Sequence, residues 1–223
     1  MVTIDGPAGS GKSTLARGLA VSLELPYVNT GLMYRALTRL ALDRGVDVDD
    51  GVGLSRLMGE LRFDLSERGP PELRVNGRDP GPELATPDVE AAISAVSRHP
   101  EVRLLMRHAQ RRLGGRGAVM EGRDIGSVVF PDAEAKIFLQ ARPEERAARR
   151  TEERATAGSA PGTTPPPAEV ADALARRDAL DARVNPFVPA PDAMILDTSG
   201  RSAEEVLAEA RAWVEARLGR VSR

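Results

Sequence analysis

The chain is expected to fold as an α/β protein: a central parallel sheet flanked by helices, interrupted by a small antiparallel insert. Three observations lead there. The chain begins strand, glycine loop, helix, strand, helix, which builds parallel sheet. Apolar and polar residues alternate between about residues 61 and 76, as in antiparallel strands with one wet face. Short buried strands then return at intervals, separated by helical stretches.

Val2-Thr3-Ile4-Asp5 is a β-branched run ending at a glycine, and Leu15, Leu19 and Leu23 follow at helical spacing. Pro26 to Asn29 reads as a second strand, Gly31 breaks the chain, and Met33 to Leu42 repeats the helical pattern. Leu61 to Leu65 and Leu73 to Asn76 are the alternating strands, set among the turn signals Gly69-Pro70-Pro71 and Asn76-Gly77. A helix is expected from Pro100 to about Leu113, then strands at Ala118 to Met120 and Lys136 to Leu139. Pro143-Glu144-Glu145 opens another helix, since proline and acids suit a first turn. Met194 to Asp197 is the last strand and Ser202 to Leu218 the closing helix. The expected division is a core of residues 1–45 and 101–223, an insert at 46–100, and a short lid at about 146–170 that includes the Gly-, Thr- and Pro-rich stretch Gly158 to Pro167.

The 223 residues suit one domain with an insert better than two independent domains. A net charge of −2 offers no general attraction for nucleic acid or anionic membrane, so any bound polyanion is small and locally held. The absence of cysteine excludes disulfides and thiolate metal sites. No apolar run approaches the roughly 20 residues that span a bilayer, and no leader precedes the first motif. A cytoplasmic monomer acting on small molecules is the expectation.

Gly6-Pro7-Ala8-Gly9-Ser10-Gly11-Lys12-Ser13 follows a strand and opens a helix, the context that gives the Gly-x-x-x-x-Gly-Lys-Ser spacing its meaning. Backbone N–H groups from Ala8 to Ser13 converge on a β-phosphate at the positive end of the helix. Lys12 bridges β- and γ-oxygens, the Ser13 hydroxyl ligates Mg²⁺, and ATP-Mg²⁺ is the implied ligand. Of 31 cationic residues only Lys12 and Lys136 are lysines. A slim point charge fits between phosphates where a planar guanidinium does not, so Lys12 stands out against the arginine bias.

The second substrate is written in arginines at element ends. Arg35 lies one turn past Gly31, Arg123 follows the third core strand, and Arg146, Arg149 and Arg150 share one helix face. Arg176, Arg177 and Arg183 flank Asp178 and Asp181. Ligands in such sheets gather beyond the carboxyl ends of the strands, so Arg123 is expected to point into the crevice. Clustered guanidiniums there suit a reaction between two anions. His99 and His108 lie outside these motifs and are read as surface or helix-cap residues. A phosphate oxygen acceptor needs no base.

Three stretches, Val2 to Thr14, Thr30-Gly31-Leu32-Met33-Tyr34-Arg35, and Glu121-Gly122-Arg123-Asp124-Ile125-Gly126-Ser127-Val128-Val129-Phe130-Pro131-Asp132, closely resemble bacterial cytidylate kinases. The resemblance covers nearly the whole chain. It implies a P-loop kinase fold in which the insert binds the nucleoside monophosphate, and transfer of the γ-phosphoryl group of ATP to CMP, with dCMP as a further acceptor. On ATP it places Gly6, Pro7, Ala8, Gly9, Ser10, Gly11, Lys12, Ser13, Thr14 and Arg150. It makes Ser94, Arg103 and Asp124 the readers of cytosine, and gathers Thr30, Arg35 and Arg123 around the CMP phosphate. Asp181 would meet the ribose, while Lys12, Arg123, Arg177 and Arg183 serve the transferring group. The family spacing is broken after Arg183, where Pro186 arrives early, and Glu121 stands where the family commonly has aspartate. A kinase for UMP, AMP or a small metabolite, and a non-catalytic nucleotide-binding regulator, are the alternatives.

Overall fold

A computed structural model describes residues 1–67, 71–156, 166–184 and 186–219. Five strands form one parallel sheet: β1 (Val2–Asp5), β2 (Tyr27–Asn29), β5 (Val119–Gly122), β6 (Ala135–Gln140) and β7 (Met194–Asp197), in the order β2-β5-β1-β6-β7. All four residues of β1 are buried, as a central strand covered on both faces requires. Asp5 pairs in register with Gly122 of β5 on one side and Phe138 of β6 on the other, so three chain segments leave the sheet together at its carboxyl edge. The chain order reverses about β1, and that reversal opens the crevice where α/β sheets take ligands.

Helix α1 (Lys12–Leu23) and the closing helix α8 (Ala203–Arg217) cover one face. Leu15, Leu19 and Leu23 of α1 join Val206, Ala210 and Val214 of α8 over Ile4, Ile137 and Leu139 of the strands. Ser202 and Glu205 cap α8 reciprocally through side chain and backbone. α1, by contrast, has no side-chain cap and no acid in its first turn, which leaves its N-terminal amides for an anion.

Helices α2 (Thr30–Arg44) and α5 (Pro100–Gly114) cover the other face, with the insert packed on them. Asn29 caps α2 by accepting from the Leu32 amide at 3.2 Å. In the insert β3 (Phe63–Leu65) and β4 (Leu73–Val75) pair antiparallel, as the alternation predicts. The insert nevertheless holds more helix than strand: α3 (Gly51–Leu57) and α4 (Pro87–Ser97) were not resolved in the sequence. In α4, Val89, Ile93 and Val96 are buried at helical spacing behind Pro87 in the first turn. The insert adds Leu54, Phe63, Leu73, Leu84 and Val96 to the cluster that holds Met33, Leu37, Met106 and Met120, so it shares the core of that face.

Helix α6 (Pro143–Thr156) and helix α7 (Pro167–Val184), the latter also unforeseen, pack through Ala147, Val170 and Leu174 with Ala8 alongside. Residues 157–165 of the expected lid, and residues 68–70 of the expected hairpin turn, lie outside the described residues.

Candidate active site

The P-loop closes over its own backbone. Gly6 has φ 145°, and a Cβ there would stand 2.4 Å from the Leu139 carbonyl oxygen; at Gly9, φ 73°, it would stand 2.8 Å from that of Arg146. Only glycine lets β6 and α6 approach this closely. Lys12 donates from Nζ to the Pro7 carbonyl at 2.7 Å and is 8% exposed. Burial, with Arg123 as the next cause, pushes its ammonium down to about 7. Ser10 Oγ donates to the same carbonyl at 3.0 Å. Outside the loop, Arg146 donates to the Ala8 carbonyl at 3.1 Å and to Asp178 at 2.5 Å. Arg149 grips Thr198 by its hydroxyl (2.8 Å) and carbonyl (2.6 Å), and Thr198 Oγ1 donates to the Ser10 carbonyl at 3.1 Å. Sequence reading missed Thr198, which carries no motif around it.

Ser13 Oγ donates to Glu121 Oε2 at 3.0 Å, and the buried Tyr27 hydroxyl donates to Glu121 Oε1. Burial, then the Glu121 charge, raises the Tyr27 phenol, which therefore stays a donor. These are hard oxygen groups. Among the described residues no cluster of three or more His, Cys, Asp or Glu side chains is suited to hold a metal. One hydroxyl and one nearby carboxylate fit Mg²⁺, which keeps several waters and takes phosphate oxygens from its substrate.

Beyond the loop lies a cleft of about 360 Å³, lined by Lys12, Thr30, Arg35, Arg103, Arg123, Asp124, Arg150, Arg177 and Asp181 among others. Arg103 and Asp124 form an ion pair at one end. Arg123 donates to the Gly6 carbonyl at 3.1 Å and to Asp181 at 3.3 Å, and lies over the Phe187 ring at 5.7 Å. Ser94 donates to the other Asp181 oxygen at 2.9 Å. Thr30 Oγ1 donates to the Glu121 carbonyl at 2.7 Å. Arg35 binds the Leu84 carbonyl at 2.8 Å and Glu90 at 3.1 Å, and Arg150 also pairs with Glu90. Arg177 is pushed down to about 10 by burial and then by the nearby Arg123 charge. Glu90 escaped the sequence reading because the helix that carries it did.

The structure thus brings the expected site residues into one region with one exception. Arg183 is exposed on α7, whereas Val184 lines the cleft. The expectation that Arg183 closes on the phosphates does not match this placement; a helical residue one position away faces roughly 100° elsewhere. His99 stands at the N-cap of α5 and meets the Val48 carbonyl at 2.9 Å, and His108 is exposed.

A second cavity of about 420 Å³ lies across the P-loop, lined by Ser10, Leu15, Arg149, Thr198, Arg201 and Val206 among others. The two cavities share Gly11, Thr14 and Glu153 as lining. Two nucleotide-sized spaces meeting at an anion loop, one of them ringed by arginines, define a phosphotransferase of the P-loop class.

The chain belongs to the cytidylate kinase family, whose model matches residues 2–216. It is 45% identical over 211 residues to a cytidylate kinase of Pelotomaculum thermopropionicum, covering 92% of each chain. With a cytidylate kinase of Mycobacterium leprae it shares 43% identity over 225 residues, 99% of this chain and 98% of the other. A bifunctional pantoate ligase/cytidylate kinase of Synechococcus sp. (strain WH7803) is 44% identical over 212 residues, 93% of this chain and 43% of that longer protein.

Proposed function

We infer that the protein transfers the γ-phosphoryl group of ATP to CMP, giving ADP and CDP, and accepts dCMP as well. Family membership supports the reaction. The observation that carries the assignment of sides is the meeting of the two cavities at the P-loop, one lined by Arg35, Arg103, Arg123, Arg150 and Arg177, the other by Arg149 and Arg201 alone among arginines. ATP lies along the loop with its nucleoside in the cavity beside Arg149 and Thr198. The monophosphate lies in the arginine cleft.

In this reading the phosphate of CMP is received by Arg35, Arg123 and Arg177, with Thr30 at the strand exit, and the acceptor oxygen is already an anion. Lys12 leaves the Pro7 carbonyl for the β- and γ-oxygens. Arg150, now paired with Glu90, turns to the donor phosphates. The residues supply position and positive charge rather than proton transfer. Ser13, with Glu121 through water, would hold Mg²⁺. That ion, when bound, neutralises phosphate charge.

At the far end Asp124 accepts from the cytosine 4-amino group, and Arg103 and Ser94 donate to its acceptor atoms. Uracil offers an acceptor where cytosine offers that donor, so UMP would leave Asp124 facing an oxygen. Asp181 accepts from ribose hydroxyls, of which dCMP retains the 3′ one. A cytoplasmic monomer working on small molecules completes the reading. The net charge of −2 supports it, and among the described residues no helix is long and apolar enough to cross a membrane.

The test is an ADP-release assay with CMP, dCMP, UMP and AMP. CMP and dCMP should exceed UMP and AMP in kcat/KM by about tenfold or more, the yield of one or two correctly paired polar groups. Equal rates on UMP or AMP would refute the base assignment.

A further inference from the structure

Asp5 is a buried carboxylate, 7% exposed, on the last residue of the central strand before Gly6. It belongs to no binding role described above. Its two oxygens accept separate backbone amides from across the sheet: Oδ1 from Ile125 and Oδ2 from Gly126, each at 2.8 Å. Those amides open the single wide turn Ile125–Val129, whose Val128 and Val129 amides fold back to the Asp124 carbonyl at 2.9 and 3.2 Å. The first amides of such a turn have no partner within it, and Asp5 supplies both.

The turn begins directly after Arg123 and Asp124. β5 ends at Gly122, paired with Asp5 itself, so only two residues separate the last sheet contact from the Asp5 clamp. Both are cleft residues, Arg123 reaching the Gly6 carbonyl and Asp124 meeting Arg103. We propose that Asp5 is a positioning residue for the acceptor: by clamping the turn to the P-loop strand it sets where Arg123 and Asp124 stand relative to the donor phosphates. The inference rests on the acceptor reading above.

Two features argue that a carboxylate is needed here. Two N–H donors converge on two oxygens, and an asparagine would turn an NH₂ group against one of them. The carboxylate is also kept against a cost, since burial raises Asp5 to about 6 despite the lowering effect of the two backbone bonds. Close packing leaves the turn no alternative seat: a Cβ on Gly126 would stand 2.6 Å from Thr3 Oγ1 and 3.3 Å from Asp5 Oδ2.

The experiment compares wild type, Asp5→Asn and Gly126→Ala in KM for CMP, kcat, the CMP-to-UMP ratio of kcat/KM, and ATP affinity by direct titration. Gly126→Ala leaves the carboxylate in place and pushes the turn off it. Both variants should raise KM for CMP by roughly tenfold or more and compress the CMP-to-UMP ratio, with ATP affinity within about twofold of wild type. A wild-type KM and ratio in Asp5→Asn would overturn the proposal. So would parallel losses of ATP and CMP binding, which mark a general structural role. Should Asp5→Asn fail to fold, Gly126→Ala decides: a raised KM for CMP alone supports the clamp, and an unchanged one refutes it. If wild type itself does not use CMP, the acceptor reading fails instead, and the wild-type panel shows that separately.

Discussion

In the proposed reading the donor side of the site is made largely from the consecutive residues Gly6 to Ser13, whereas the acceptor side draws on five places. Thr30 and Arg35 come from α2, Ser94 from α4, Arg103 from α5, Arg123 and Asp124 from the exit of β5, and Arg177 and Asp181 from α7. A contiguous loop takes its geometry from its own dihedrals, and Gly6 and Gly9 are shaped by close approach to β6 and α6. A dispersed site takes its geometry from packing. Its side chains are therefore tied to one another: Asp181 holds Ser94 and Arg123, and Glu90 holds Arg35 and Arg150. The lesson is that substitutions on the donor side should act on chemistry, while those on the acceptor side should act on binding and choice of base.

The largest effect expected is that of Lys12→Ala, which should lower kcat by about a thousandfold or more while leaving CMP binding within a few-fold. Single-turnover quench measurements check it. A fall of less than tenfold would mean that charge on the transferring group is met elsewhere. Next, Arg177→Ala and Arg183→Ala separate the two faces of α7. The first should cost about a hundredfold in kcat/KM, the second less than twofold, because only Arg177 reaches the cleft. Comparable losses would show that α7 rotates or unwinds when substrates bind.

Asp124→Ala comes third. It should reduce kcat/KM for CMP by roughly tenfold and spare UMP, an effect of about 1–3 kcal/mol on one base. Retention of full CMP preference would remove Asp124 from base reading.

The smallest expected effect is on pH. The Lys12 ammonium, at about 7 in the native protein against 10.5 in an unfolded chain, loses its proton early as pH rises. The unfolded state then binds more protons, so the substrate-free protein gains stability from about pH 7 to 10.5 through this group. ATP phosphates favour the charged amine, so binding above that pH takes up a proton. The ATP dissociation constant should rise several-fold between about pH 6 and about pH 8.5. Calorimetry in buffers of different ionisation heat would read that proton, and a flat profile would show an ammonium charged throughout.

Legibility followed the same division. Strand, glycine loop and helix were plain in residues 2 to 23, because the motif and its structural context are local. The parallel strands were readable as short apolar runs. In the insert the turn signals drew attention to two strands of three residues each, and α4 went unread although Val89, Ile93 and Val96 carry its period. α7 buries only Val170 and Leu174 among its described side chains, too thin an apolar stripe to stand out among its charges. The acceptor residues were nameable because the chain resembles a known family. Nothing in their spacing showed that Ser94 and Asp181 would touch.

By itself, the sequence determined an ATP loop, a parallel sheet beneath it and a supply of arginines for a second anion. These follow from local backbone preference, hydrophobic period and charge. The tertiary structure alone decided that Val184 rather than Arg183 faces the cleft, that Glu90 holds Arg35 and Arg150 together, and that Asp5 reaches two amides some 120 residues away. Such choices depend on which surfaces pack together once the chain is folded, and contacts between distant residues leave no period or spacing in the sequence.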